Sequence, residues 1–559
     1  MAQAGLSTRE PAARRRYLGI GLVISLSAAA LVYESRRTGL TVDETSHFAA
    51  AYSYWLGEDV LQPADAPPLT RAISGWVPRL LGAPRPRDNR GWADRDAYLI
   101  GADTLDRTDI RARRLLFYTR LPFLLFPLLI VFLLWHWGRQ LFGEPVGLVL
   151  ALCGALEPTL LGHGVLINSD VPAAFAALWF GYAAWRYCSG PGTRRLLFMA
   201  AAVTLAVLTK FTLLPLAIAA FTLVLWKSPR RSLALLIPLS VYFGILAASQ
   251  FRAQPVPPAE VAQFGGAGVP RWALPVVRLF AMLPWPLPFV HGLLFIGGSL
   301  QGQGFAGYLL GHKVSGWVPL YFPFAWAIKF PIPLQLLTLA GVAALLVRIR
   351  RREAGPADWI IWSSAAFFFG SATLSNFHIG FRHVLPALPF FILGGGFALA
   401  RWRSNRTGRM AMVLSLCWLA LSSLHVYPQG ISYFNEWIGG PGQGWKCLAD
   451  SNLDWGQNQS DLGVYMRRNH IARVRSFLFG YDNPFHYLPP GSLDPQPLPS
   501  SDNPALEHRY RPQPGRYAVS TNFLAGFLFP PGYENYLAYF QQHPPDAHAG
   551  YSILIYEVR

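Results

Sequence analysis

Apolar residues in this chain come in blocks of roughly 15 to 25 that end at arginine clusters or prolines. A block of that length spans the hydrocarbon core of a bilayer as a helix, so the pattern predicts a polytopic α-helical membrane protein. The predicted spans are 17–33, 115–137, 146–162, 171–188, 232–249, 322–348, 358–374, 384–400 and 410–428. The block 196–226 is interrupted by Lys210 and Pro215 and reads as two short spans, out and back. The total is about eleven transmembrane helices. If 196–226 were one span, every later segment would invert.

Arginine clusters set the orientation. Arg14, Arg15 and Arg16 precede the first span, and later groups are Arg194–Arg195, Arg230–Arg231, Arg348–Arg352 and Arg401–Arg409. Placing every short basic loop on the cytoplasmic side puts the N-terminus inside and two long loops, about 34–114 and 250–320, outside. The first span is expected to be retained, since no small-residue cleavage site follows it. Past residue 430 the apolar runs shorten. Gly444–Ala449, Val474–Gly480, Tyr517–Thr521 and Tyr551–Val558 read as strands and Gly456–Asn469 as a helix. The expected organisation is therefore a transmembrane domain over 1–429 and a small extracytoplasmic α/β domain over 430–559.

Composition agrees with a membrane protein: 52% of residues are hydrophobic and 14% charged, against about 25% charged in soluble proteins. The net charge of +18 would suggest nucleic acid in a soluble chain. Here much of the arginine lies in short loops between spans, so no nucleic-acid partner is expected. Cys153, Cys188, Cys417 and Cys447 are far apart and show no disulfide or zinc-ribbon spacing.

Asp43 and Glu44 follow the first apolar span directly, with His47 one helical turn on. Carboxylates at a membrane boundary are costly unless water, cations or catalysis use them. The alternative is a helix start, since Thr41-Val42-Asp43-Glu44 has the form of an N-cap. Glu44 and His47 also have the spacing to share a metal ion, although a structural histidine is the simpler reading. His163, Asn168 and Asp170 lie at the turn between two spans, and Asp170 can equally cap the helix before Pro172. Lys210, near the outer turn of the two short spans, is a further candidate for an outer pocket with these carboxylates, but snorkelling to the interface is the preferred reading. Arg382 suits either a phosphate or an anchoring role at a span end, and Lys329 is open in the same way. Asp450–Gln457 sits where a strand gives way to a helix, so Asp450, Asn452 and Asp454 are candidates for binding an acceptor or for capping. Gly439–Gly444 lacks the Lys-Ser/Thr of a phosphate loop and reads as a linker.

Several of these pieces, in this order, resemble the GT-C membrane glycosyltransferases, in particular the protein O-mannosyltransferase and aminoarabinose transferase group. They are Val42-Asp43-Glu44, Pro67-Pro68-Leu69 with Arg71, Ser169-Asp170-Val171-Pro172, Tyr321–Lys329, Gly380–Pro386, Tyr433–Glu436 and Asp450–Gln457. Ala66 stands where many relatives carry a histidine. The resemblance implies Asp43 as general base, with Glu44 and Asp170 shaping the site or orienting the acceptor. It implies Arg71, Lys329, Arg382 and His383 as candidates for holding a lipid phosphate.

The expected activity is an inverting glycosyl transfer from a polyprenyl-phosphate sugar to a hydroxyl acceptor on a protein, glycan or lipid. It would occur at the outer face of the cytoplasmic membrane, with membrane lipids as further partners. No cofactor is required, and a divalent metal is optional because protein cations can neutralise the leaving phosphate. The rivals are a transporter or flippase for a lipid-linked sugar, using the same charges as a path, and a non-catalytic polyprenyl-phosphate binder.

Overall fold

The computed structural model describes residues 10–58, 67–108, 112–266, 274–301, 305–500 and 507–559. Ala66, where the sequence departs from the pattern it resembles, lies outside them. The protein is mostly helical. Six of the described helices are long and apolar enough to cross a membrane: Tyr17–Arg37, Ala112–Phe142, Arg231–Ala248, Ile332–Arg350, Phe381–Trp402 and Arg406–Val426. The pair Glu144–Ala155 and Pro158–Gly164, bent by 59°, makes a seventh if it is one broken span. It is a multi-pass membrane protein.

The remaining predicted segments are helical too, as Asp170–Cys188, Thr193–Thr209, Pro215–Lys227 and Pro356–Thr373. The block 196–226 is two helices, separated by an extended Lys210 and a 3-10 turn over Phe211–Leu213. At the turn between Ile332–Arg350 and Pro356–Thr373, Arg348 clamps Asp358 through Nε and Nη2 at 2.7 and 3.0 Å.

The long segment after the first span is itself folded. Helix Val42–Leu56 begins with a capping box, in which the Thr41 backbone N–H donates to Glu44 Oε2 at 3.1 Å. Helix Ala97–Asp106, capped by Asp96, packs across it. Gly101 makes this crossing possible, because a Cβ there would strike the Thr45 carbonyl.

A short hairpin, β1 (Gly307–Leu309) with β2 (His312–Val314), precedes the last spans. The C-terminal region holds a five-stranded mixed sheet made of β3 (Val474–Phe477), β4 (Leu493–Pro495), β5 (Gly515–Ser520), β6 (Ala547–Ala549) and β7 (Ile553–Val558). The strand order is β4-β3-β5-β7-β6. β3 runs parallel to β4 and β5, while β7 is antiparallel to both β5 and β6. Apolar side chains alternate to its two faces, Tyr517 and Val519 into one cluster and Ala518 into the other. The expected strand at Gly444–Ala449 is not one. Residues Pro441–Lys446 form a 3-10 helix, since a proline at its start and glycines at 442 and 444 favour a turn over a ladder.

The C-terminal region is stitched into the helical part. Val42 N–H donates to Trp455 O at 2.9 Å and Gly39 N–H to Gln457 O at 2.8 Å. The segment Asp450–Gln457 is thereby held against the start of the Val42 helix.

Candidate active site

Four elements deliver charged side chains to one place. Asp43 stands in the first turn of Val42–Leu56 and Asp170 opens Asp170–Cys188, so both carboxylates sit at the positive end of a helix dipole. Lys210 sits in the break after Thr209. Arg382 and His383 lie on the 3-10 turn Phe381–Ala387.

Arg382 Nη1 donates to Asp43 Oδ2 at 2.8 Å and lies 3.7 Å from Asp170 Oδ2. Lys210 Nζ meets Asp170 Oδ1 at 2.5 Å. The ammonium is therefore paired inside the protein and does not snorkel to the membrane surface as the sequence suggested. The Arg382 guanidinium rests on the Trp455 ring, 4.3 Å from its centre. Trp455 in turn packs against His163.

These groups line a cavity of 510 Å³. Among the described residues its charged lining is balanced, with Asp43, Asp96 and Asp170 against Arg95, Lys210 and Arg382. His47, Asn168 and His383 also face it, and Phe211, Phe295, Ile296, Phe305 and Phe377 form an apolar wall. Asn168 Nδ2, His383 Nε2 and Arg382 Nε are buried without a hydrogen-bond partner among the described residues. Buried polar atoms are normally satisfied, so three orphans around one cavity mark a place for a polar ligand.

The other candidates are placed differently. Glu44 turns away from the cavity and pairs with Arg120, both side chains 1% exposed. Arg120 spends all five N–H donors, on Glu44 Oε1 and Oε2 and on the carbonyls of Ser35, Thr38 and Gly39. Glu44 also accepts the Ile167 N–H at 2.9 Å. It is Glu44, not Asp43, that forms the capping box. Arg71 is buried on the short helix Leu69–Ser74 and is not part of the cavity lining.

Lys329 is buried and donates to the carbonyls of Ile431, at 3.0 Å, and Asn452. Asn452 accepts the Phe381 N–H at 2.9 Å and donates to Tyr321 Oη at 2.9 Å. It fixes the backbone beside Arg382. Asp450 has a left-handed backbone with φ of 59°. Burial raises its carboxyl to about 6, against the opposing pull of Arg382. Burial likewise raises Asp454 to about 7, against hydrogen bonds from Gly456 and Asn522.

Among the described residues, no group of three or more His, Cys, Asp or Glu side chains is poised for a metal ion. Glu44 and His47 do not cooperate, because the Glu44 carboxylate is spent on Arg120, Thr41 and Ile167. Sequence reasoning counted Lys210 among the outer-facing candidates but preferred the interface for it, and it missed Arg120 as the partner of Glu44. The one signal for Lys210 was its place at a break in an apolar block.

The fold and site define a multi-pass helical membrane protein with a charged cavity at the meeting of several helix ends. Residues 112–250 match the family model described as dolichyl-phosphate-mannose-protein mannosyltransferase. That segment carries Asp170 and Lys210 and agrees with the resemblance seen in the motifs. No curated protein matches the chain. Among solved structures, the chain is similar to the Archaeoglobus fulgidus oligosaccharyltransferase complexed with zinc and sulfate, at 14% identity and a TM-score of 0.39. The similarity covers 80% of this chain and 55% of that one, so the chain spans about half the length of that relative. It is also similar to ArnT from Cupriavidus metallidurans, solved in the apo state and bound to undecaprenyl phosphate. Both comparisons give 12% identity and a TM-score of 0.31, over 96% of this chain and 97% or 98% of those chains.

Proposed function

We propose that the protein is an inverting glycosyltransferase that moves a sugar from a polyprenyl-phosphate donor to a hydroxyl acceptor. The observation that carries this reading is the Asp43–Arg382–Asp170–Lys210 chain of charges beside an apolar wall. The family match over 112–250 supports the donor class. In this reading the cavity opens on the outer side of the cytoplasmic membrane and about eleven helices cross the bilayer. Residues 430–559 form a domain on that outer side.

The arrangement suggests how binding prepares the chemistry. Arg382 keeps donors to spare beside its bond to Asp43, so an incoming phosphate has a cation to engage. A phosphate that engages Arg382 loosens its hold on Asp43. Asp43 then accepts the acceptor's hydroxyl proton as that oxygen attacks the anomeric carbon. The bond from that carbon to the phosphate oxygen breaks, and polyprenyl phosphate leaves with the electron pair, stabilised by Arg382, Lys210 and His383. Asp170 holds Lys210 and Arg382 in place. Lys329 and Asn452 act as positioning residues behind the reacting groups, and Glu44 holds the fold through Arg120.

The test is transfer from a synthetic polyprenyl-phosphate sugar by purified Asp43→Asn protein. Turnover collapses while folding and donor binding persist. Undiminished turnover sinks Asp43 as base. Arg382→Ala should weaken donor binding more than acceptor binding, and unchanged donor affinity counts against the phosphate role.

A further inference from the structure

A larger cavity, of 720 Å³, lies away from the active site and plays no part in the chemistry above. It opens where two membrane-crossing helices end side by side, Tyr17–Arg37 at its last turn and Ala112–Phe142 at its first. Arg36, Arg113, Arg114 and His486 face it, with Asp106 as the one carboxylate among the described lining residues. Helix Ala97–Asp106 joins the two cavities. Tyr98 lines the active site and Asp106 the second cavity, eight residues or about 12 Å further along.

The cations here are poorly neutralised. The Arg36 guanidinium lies over the Phe117 ring at 4.9 Å and Arg113 over Tyr487 at 5.2 Å, contacts that leave their charges intact. Arg113 Nη2 also donates to the Arg36 carbonyl. Arg114 is exposed and makes no ion pair with any described residue. His486 sits between Asp106, at 3.0 Å, and Asp482, at 3.6 Å. Burial lowers its affinity for a proton, but these two carboxylates outweigh that and hold it at about 9. With His486 protonated, the described lining residues carry four positive groups, and the carboxylates against them are Asp106 in the lining and Asp482 behind His486, a surplus of two.

An apolar track leads away from this charge. Tyr118 lines the cavity, and Tyr118, Leu121, Leu125 and Phe132 are exposed along the same membrane-crossing helix. Their spacings of three, four and seven keep them near one face. A charged mouth at the end of a span, continued by an exposed apolar stripe, fits an amphiphile lying along the helix.

We propose that this cleft binds the phosphate headgroup of an anionic membrane phospholipid, whose acyl chains lie on the Tyr118–Phe132 stripe. The lipid bridges the spans at Arg36, Arg113 and Arg114 to the C-terminal region at His486. The site is separate from the donor cavity and does not depend on the transfer reaction.

The test is native mass spectrometry of the purified full-length protein in neutral detergent, titrated with phosphatidylglycerol. Phosphatidylcholine is the zwitterionic control and inorganic phosphate the headgroup without tails. Phosphatidylglycerol is retained in preference to phosphatidylcholine, and Arg114→Gln weakens that retention about five-fold, the effect of one basic residue at an anionic surface. Arg114→Lys restores most of it. Raising the pH from 7 to 10 weakens retention as His486 loses its proton beside Asp106, Asp482 and Arg113, and His486→Asn removes that change. Equal retention of the two lipids, or an Arg114→Gln protein that holds phosphatidylglycerol unchanged, overturns the proposal. Displacement by inorganic phosphate at a concentration equal to the lipid overturns the lipid as the occupant.

Discussion

Asp43 and Glu44 are neighbours in sequence, and each is paired with an arginine from a distant helix, yet the two pairs are built for different work. Glu44–Arg120 is dry and saturated, with every guanidinium N–H donated and both side chains 1% exposed. Asp43–Arg382 is wet and unfinished: Asp43 is 24% exposed, Arg382 makes a single hydrogen bond to it, and Nε is left over. A saturated arginine holds a fold together. An arginine with donors to spare, over a cavity, is available to a ligand.

The largest effect should come from Asp43→Asn. General-base assistance contributes about 10²- to 10⁴-fold in rate, so turnover should fall within that range while the thermal midpoint moves little. Next comes Glu44→Gln. Removing one partner of a buried pair leaves an uncompensated charge and costs about 3 to 5 kcal/mol. Thermal unfolding in detergent should shift down strongly, and activity per folded molecule should be largely retained. If Glu44→Gln instead kept its stability and lost turnover, the division between the two pairs would fail.

Lys329→Met sharpens the contrast from another direction. In the sequence Lys329 and Arg382 are equal candidates for the donor phosphate, but the structure commits Lys329 to the Ile431 and Asn452 carbonyls. The substitution should cost about 1 to 3 kcal/mol through unsatisfied carbonyls and leave donor affinity close to unchanged. A large loss of donor affinity without destabilisation would return Lys329 to the phosphate.

These cases show what could be read from residues alone. The helical segments were legible because apolar block length is set by the bilayer and needs no tertiary information. The ordered motifs led to Asp43, Asp170, Arg382 and His383, which the fold brings to one cavity. The division of labour between Asp43 and Glu44 was not legible. Adjacent residues on a helix point about 100° apart, and only the packing decides which one meets water. Lys210 was hidden for a related reason: a lysine at a helix break can turn to the interface or to a carboxylate forty residues earlier, and the sequence carries no direction. Gly444–Ala449 failed as a strand because turn residues outweighed its apolar character.

The smallest expected effect concerns a third kind of charge contact, half-exposed and titratable. His486 joins the C-terminal region to helix Ala97–Asp106 through Asp106, while Asp482 also receives the Tyr487 hydroxyl at 2.7 Å and the Leu40 N–H at 3.2 Å. Its proton affinity is raised in the folded protein, from 6.5 to about 9. A group raised on folding stabilises fully below its unfolded value and loses that contribution as pH climbs through the folded one. The tether should therefore be intact at pH 6 and weaken between pH 7 and 10. Amide exchange in 97–106 should quicken over that interval, with exchange in Asp170–Cys188 as the internal reference. His486→Asn should show the faster exchange already at pH 6 and little further change. A steep rise in the variant as well would assign the pH response to another group, and would leave His486 as a neutral packing contact between the two regions.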